Sequence, residues 1–164
     1  MFTTKGFKLW TAVAITLTGL FVAGRSSFSQ TVTGTIAGSW QGTVTATNPP
    51  GLPAFTSLIT FFQEGSTIES RRPYVAASPF GPMLETAAHG AWVRTERNQF
   101  EVKFMFLLQS ATDGSALGTD NIRLHLTLDP LQRHLTGTFE STVKDISGNP
   151  IFSAAGSYDG KPIE

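Results

Sequence analysis

"HGAWVRTERNQFEVKFMFLL", residues 89–108, is the stretch that decides the fold. Two runs of alternating residues flank "ERNQ" (96–99), which reads as a tight hairpin turn. Facing residues across such a turn share one side of the sheet. Thr95 then meets Phe100, Val93 meets Val102, Ala91 meets Phe104 and His89 meets Phe106. The other side pairs Arg94 with Glu101 and Trp92 with Lys103, an ion pair and a cation–π pair suited to solvent. This register predicts an apolar inner face that includes His89, and a charged outer face.

The same alternation runs outward in both directions. After residue 30 no helical period stands out, and short apolar/polar runs are separated by Gly, Pro, Asn and Asp clusters. Eight strands are expected, over about 38–47, 55–63, 67–72, 89–96, 99–109, 121–129, 134–144 and 151–159. Short connections make successive strands neighbours, so the fold class is all-β, an antiparallel up-and-down meander closing into an eight-stranded barrel. A β-sandwich is the alternative. The turn "PLQR" (130–133) pairs Leu128 with Leu135, Leu126 with Gly137, Leu124 with Phe139 and Ile122 with Ser141 inside. Outside, Arg123 faces Glu140 and His125 faces Thr138. The "EG" turn (64–65) has two readings. A two-residue loop turns Ser57, Ser70 and Arg72 inward, whereas a bulged three-residue loop slips the register and turns Glu69 inward.

The first 29 residues read as a secretory signal. Lys5 and Lys8 precede the apolar run "LWTAVAITLTGLFVAG" (9–24), and "SFSQ" (27–30) offers small residues for cleavage after Ser29. The run falls short of the roughly 20 apolar residues a spanning helix needs. The expected product is exported, periplasmic or extracellular, without stable membrane insertion after cleavage. The full chain has 12 basic and 12 acidic residues; Lys5, Lys8 and Arg25 precede the cut, which leaves 9 basic against 12 acidic. That net of −3 carries no basic stripe and excludes the usual nucleic-acid-binding classes. With no cysteine, neither a disulfide nor an acylated-cysteine anchor is available. The part after the cut (30–164) is expected to form one domain.

Few residues invite chemistry. His89 is the histidine that the register points inward, and it is either a hydrogen-bonded core residue or an acid/base group. Ser70 and Arg72 end a strand before a long connection, where an arginine either fixes a carboxylate or is an ordinary surface charge. Tyr158, Ser57 and Ser141 each offer an inward hydroxyl. The connection "PYVAASPFGPMLETAA" (73–88) is long enough to act as a flap over the barrel opening, the alternative being a plug that closes the core, with Glu85 near its end facing His89. In "FMFLL" (104–108), Phe104, Phe106 and Leu108 are expected inside and Met105 and Leu107 outside. Apolar residues on both faces point to a homo-oligomer or to cover by the chain's own terminus. No phosphate-cradling loop, metal-ligand spacing or nucleophile elbow is present, so no metal or cofactor is implied.

Within the first expected strand, "AGSWQGTVTA" (37–46) contains "GSW" (38–40), which resembles the G-x-W signature of lipocalins and related calycin barrels. "TDNIR" (119–123) stands where their second signature would, without its aromatic residue. The resemblance implies that Trp40 closes one barrel end and that small apolar ligands enter at the other. Small exported bacterial barrels are similar in overall pattern, and dirigent, allene oxide cyclase and natural-product cyclase barrels share the eight-stranded design. The expectation is an interior site for a small apolar or amphipathic molecule, involving Trp40, Ser70, Arg72, His89, Phe104, Phe106, Phe139 and Tyr158. The alternatives are a cofactor-independent isomerase or cyclase that uses His89, and an oligomeric interaction module.

Overall fold

Alternation of apolar and polar residues, broken by turn-forming clusters, produces strands throughout the computed structural model, which describes residues 34–76, 78–129 and 133–163. The expected signal (1–29) and the tip of the turn at 130–132 lie outside them. Among the described residues there are ten strands. They are β1 (Gly38–Asn48), β2 (Phe55–Phe61), β3 (Ser66–Arg71), β4 (Tyr74–Val75), β5 (Met83–Glu85), β6 (Ala88–Glu96), β7 (Gln99–Ser110), β8 (Ala116–Asp129), β9 (His134–Asp145) and β10 (Pro150–Pro162). Eight of them, all but β4 and β5, pair antiparallel in chain order, and β10 returns to β1. The sheet is a closed eight-stranded barrel with a meander order, an arrangement consistent with a calycin-like fold. The sandwich alternative is excluded.

The β8–β9 register is the expected one, from Leu128 against Leu135 to Ile122 against Ser141. The β6–β7 register is not. Glu96 faces Gln99 across the turn, but an irregularity between Arg94 and Glu96 places Arg94 against Phe100. One extra residue reverses every side chain beyond it. Ala88, Gly90, Trp92 and Arg94 therefore lie on the inward phase, and His89 is exposed opposite Met105. The expected Arg94–Glu101 and Trp92–Lys103 pairs do not form. Glu101 instead meets Lys103 at 2.9 Å and Arg123 at 3.4 Å on the outer wall.

Trp92 and Arg94 find inward uses. The Trp92 ring packs edge-on to Phe61 and Phe100, at 6.3 and 5.8 Å, and its indole N–H donates to the Phe62 carbonyl at 2.9 Å. The Arg94 guanidinium lies 5.0 Å from the Phe100 ring and donates to the Gly34 carbonyl. At this same end Trp40 is buried and donates from its indole nitrogen to the Ile36 carbonyl at 2.8 Å. Ile36, Trp40, Phe61, Phe100, Leu126, Leu128 and Leu135 make this half of the interior largely apolar, and buried Thr67 satisfies its hydroxyl on the Thr60 carbonyl. Because the strands run up and down, the β1–β2 loop and the β7–β8 and β9–β10 turns gather at the opposite end.

The long connection is also at that end, and it is not a simple loop. β4 and β5 form a hairpin, and β5 pairs with Leu108–Ser110 of β7, beyond the last residues that pair with β6. Met83 and Glu85 point inward and Phe80 packs against the core, while Tyr74 and Leu84 face solvent. Phe104, Phe106 and Leu108 face in as expected, and Met105 and Leu107 face out, 42% and 49% exposed.

Candidate functional site

The register of β3 decides what occupies the open half of the barrel. Gly65, at φ +95°, lets the chain make a three-residue turn in which the Phe62 N–H donates to the Ser66 carbonyl. Phe61 then faces Thr67, Ile59 faces Glu69 and Ser57 faces Arg71. The bulged reading of the "EG" turn is the correct one. Ser70 and Arg72, expected inside, are exposed on the outer wall, and Glu69 and Arg71 take their places.

Arg71 is the centre of a buried polar cluster. Its Nε donates to Glu85 Oε2 at 2.7 Å and its Nη2 to Glu85 Oε1 at 2.9 Å, a two-pronged pair across the top of the barrel. Nη2 also donates to Asp120 Oδ2 at 3.0 Å, and Ser141 donates to the other Asp120 oxygen at 2.6 Å. The guanidinium carbon sits 4.1 Å from the Phe106 ring centre and 5.2 Å from that of Phe55. Burial alone disfavours the Arg71 charge. The hydrogen bonds and attraction of Glu85, with the charges of Asp120 and Glu69, outweigh it and hold the pKa above its ordinary value.

Glu69 is in a different position. It is 2% exposed, and Ser57 donates to its Oε1 at 2.6 Å, but its Oε2 has no partner among the described residues. Burial pushes its pKa up to about 7, with help from the Glu85 and Asp120 charges and against the pull of Arg71 and Ser57. Tyr158, 1% exposed, likewise has an unpartnered hydroxyl. Burial raises its pKa, and the nearby Glu69 and Asp159 charges raise it further.

Both orphaned atoms belong to residues that line one interior cavity of about 110 Å³. Ile59, Val44, Phe104, Leu124 and Phe139 supply apolar wall, and Ser57, Arg71 and Ser141 complete the polar side. The cavity reaches the β1–β2 loop, where Leu52, 44% exposed, and Pro53 form its rim. The ring of Tyr158 fits where it does because Gly42 and Gly160 lack side chains; a Cβ on either would lie about 2.3 to 2.8 Å from its ring or hydroxyl.

Of the residues expected to meet a ligand, Phe104, Phe139 and Tyr158 line this cavity. Trp40 is buried at the closed end, and Phe106 stacks on Arg71. His89 is elsewhere. It lines an open hollow on the outer wall with Lys103, Asn121, Arg123 and Glu140, so it is not an acid/base group of the interior. Glu85, expected to face His89, binds Arg71 instead. The sequence held a signal for Asp120, which continues the inward phase of Ile122, Leu124 and Leu126 by two residues. Arg71 had no such signal, because a turn of undetermined length set its phase. No group of residues suited to a metal ion occurs among the described residues. Comparison with known protein families, with curated proteins and with solved structures finds no match.

Proposed function

We propose that this chain is an exported, calycin-like barrel that binds a small molecule in its interior, with an apolar body and one polar end. The observation that supports this reading is the cavity lined by Glu69 and Tyr158. Buried polar atoms are almost always satisfied within a fold, and two left unpartnered on residues that line one cavity suit a ligand that completes them. The cavity of about 110 Å³ is of the order of an engineered one of about 150 Å³ that admits benzene. A single ring, or a longer molecule whose tail rests between Leu52 and Pro53, fits that space. The β4–β5 hairpin serves as the lid in this reading.

Titrating the protein with hydrophobic dyes and small ring compounds tests the proposal. Saturable binding is expected, and Ala154→Leu, which grows a side chain at the cavity wall, should weaken it at least tenfold. Absence of saturable binding by any probe would overturn it.

A second reading, proton-transfer catalysis on a bound carbonyl compound, draws on Glu69. A carboxyl that titrates near neutral pH where a ligand reaches is suited to acid/base work. It predicts deuterium exchange next to the carbonyl of a bound ketone, seen by NMR and lost in Glu69→Gln. No exchange above the buffer rate would reject it.

A further inference from the structure

The interior holds an imbalance of charge that the pairing does not resolve. Among the described residues that line or border the cavity, three carboxylates (Glu69, Glu85 and Asp120) face one guanidinium, that of Arg71. Arg71 directs its Nε and Nη2 at Glu85 and Asp120, so Glu69 has Ser57 as its hydrogen-bond donor. The free Glu69 oxygen and the Tyr158 hydroxyl are both buried without a partner among the described residues, on side chains that line the same cavity, and their residues are close enough for the charge of one to raise the pKa of the other.

We propose that the cavity takes a cationic amine, whose ammonium group donates to Glu69 Oε2 and Tyr158 Oη while its apolar body lies among Phe104, Phe139, Ile59 and Val44. This rests on the reading of the barrel as an interior binder and names the chemical class it selects. An ammonium group is a pure donor with three N–H bonds, and the two unpartnered oxygens can both accept from it. It neutralises the unpaired carboxylate, and a charge-assisted hydrogen bond is roughly twice as strong as a neutral one. The neighbouring aromatic faces add cation–π attraction. An anionic ligand would instead add negative charge to a cluster already rich in it. A neutral alcohol offers one donor and leaves the carboxylate charge uncompensated.

Protonation of Glu69 opposes the amine. The groups that face it are Arg71 on its own strand, Ser57 on β2, Glu85 on β5, Asp120 on β8 and Tyr158 on β10. The ionised form binds the cation, so affinity rises with pH through about 7 and falls again only when the amine itself loses its proton.

Isothermal titration with benzylamine, benzyl alcohol, toluene and benzoate tests the proposal. At pH 8 benzylamine should bind at least tenfold more tightly than benzyl alcohol, and benzoate should not bind. Moving from pH 8 to pH 6 should cost benzylamine roughly tenfold in affinity and leave toluene unchanged. Glu69→Gln should abolish the preference for amine over alcohol, and Tyr158→Phe should weaken benzylamine several-fold. Should Glu69→Gln fail to fold, the pH series on the unmodified protein still decides. If alcohol or toluene binds as tightly as the amine, or if amine affinity ignores both pH and Glu69, the amine assignment is overturned and interior binding stands. If none of the four binds, both are overturned.

Discussion

Arg71 ties four strands together through one side chain. It joins β3 to the hairpin strand β5 and to β8, and through Asp120 and Ser141 to β9. Removing one partner of a buried ion pair costs about 3–5 kcal/mol, because the other is left charged and unpaired. Arg71→Met should therefore cost about that much, read as a large drop in the denaturation midpoint. Glu69 acts in the opposite direction. Its pKa is raised from 4.5 to about 7, so the folded protein keeps the proton while the unfolded chain gives it up. Its contribution is favourable below pH 4.5, declines as pH rises toward 7, and is lost above that by about 3 kcal/mol. Thermal melts should show Glu69→Gln lacking this decline and more stable than the parent at pH 8. The sequence revealed the aromatic lining and the hydroxyls of Tyr158, Ser57 and Ser141, because the irregularities of their strands lie near the strand ends, away from these residues. It misplaced His89, which lies beyond an irregularity that reverses the pleat, and it placed Ser70 and Arg72 in the site on the two-residue reading of the 64–65 turn, which the chain does not adopt.

At the scale of the element, turns and bulges matter more than propensity. Every strand of the barrel was legible, and the β8–β9 pairing was legible to the residue, since the described parts of both strands pair without a bulge. The β6–β7 hairpin showed its two-residue turn but not the extra residue beside it. Trp92 and Arg94 concealed the slip. Each has a polar tip and an apolar or planar body, and each is as credible on a wet face as in a half-buried one. The close approach of Tyr158 to β1 gives a direct test of packing. Gly42→Ala would place a Cβ at 2.3 Å from the Tyr158 ring. The ring is buried and must shift, at about 1–3 kcal/mol, and ligand affinity should fall with it. Denaturant unfolding and dye titration of the same variant read both effects.

Seen whole, the barrel has no unpaired edge along its eight main strands, since β7 meets β8 and β10 meets β1. The β4–β5 hairpin is the exception. It is short, pairing with β7 only over Met83–Glu85, with the Glu85–Arg71 ion pair beneath. Regions with little buried apolar contact open at a small fraction of the global cost. Hydrogen exchange should find the β5 amides exchanging at least a hundredfold faster than those at the centre of β7 and β8. Equal protection would show that the hairpin is an integral part of the wall.

The tryptophan-sealed end, with Ile36 and Arg94 beneath it, makes the interior a cup rather than a tube. For the interior binder proposed above, arrivals and departures would share one doorway, and an incoming molecule would have to wait for the resident to leave. Exchange between two ligands should then run at the dissociation rate of the first, whatever the concentration of the second.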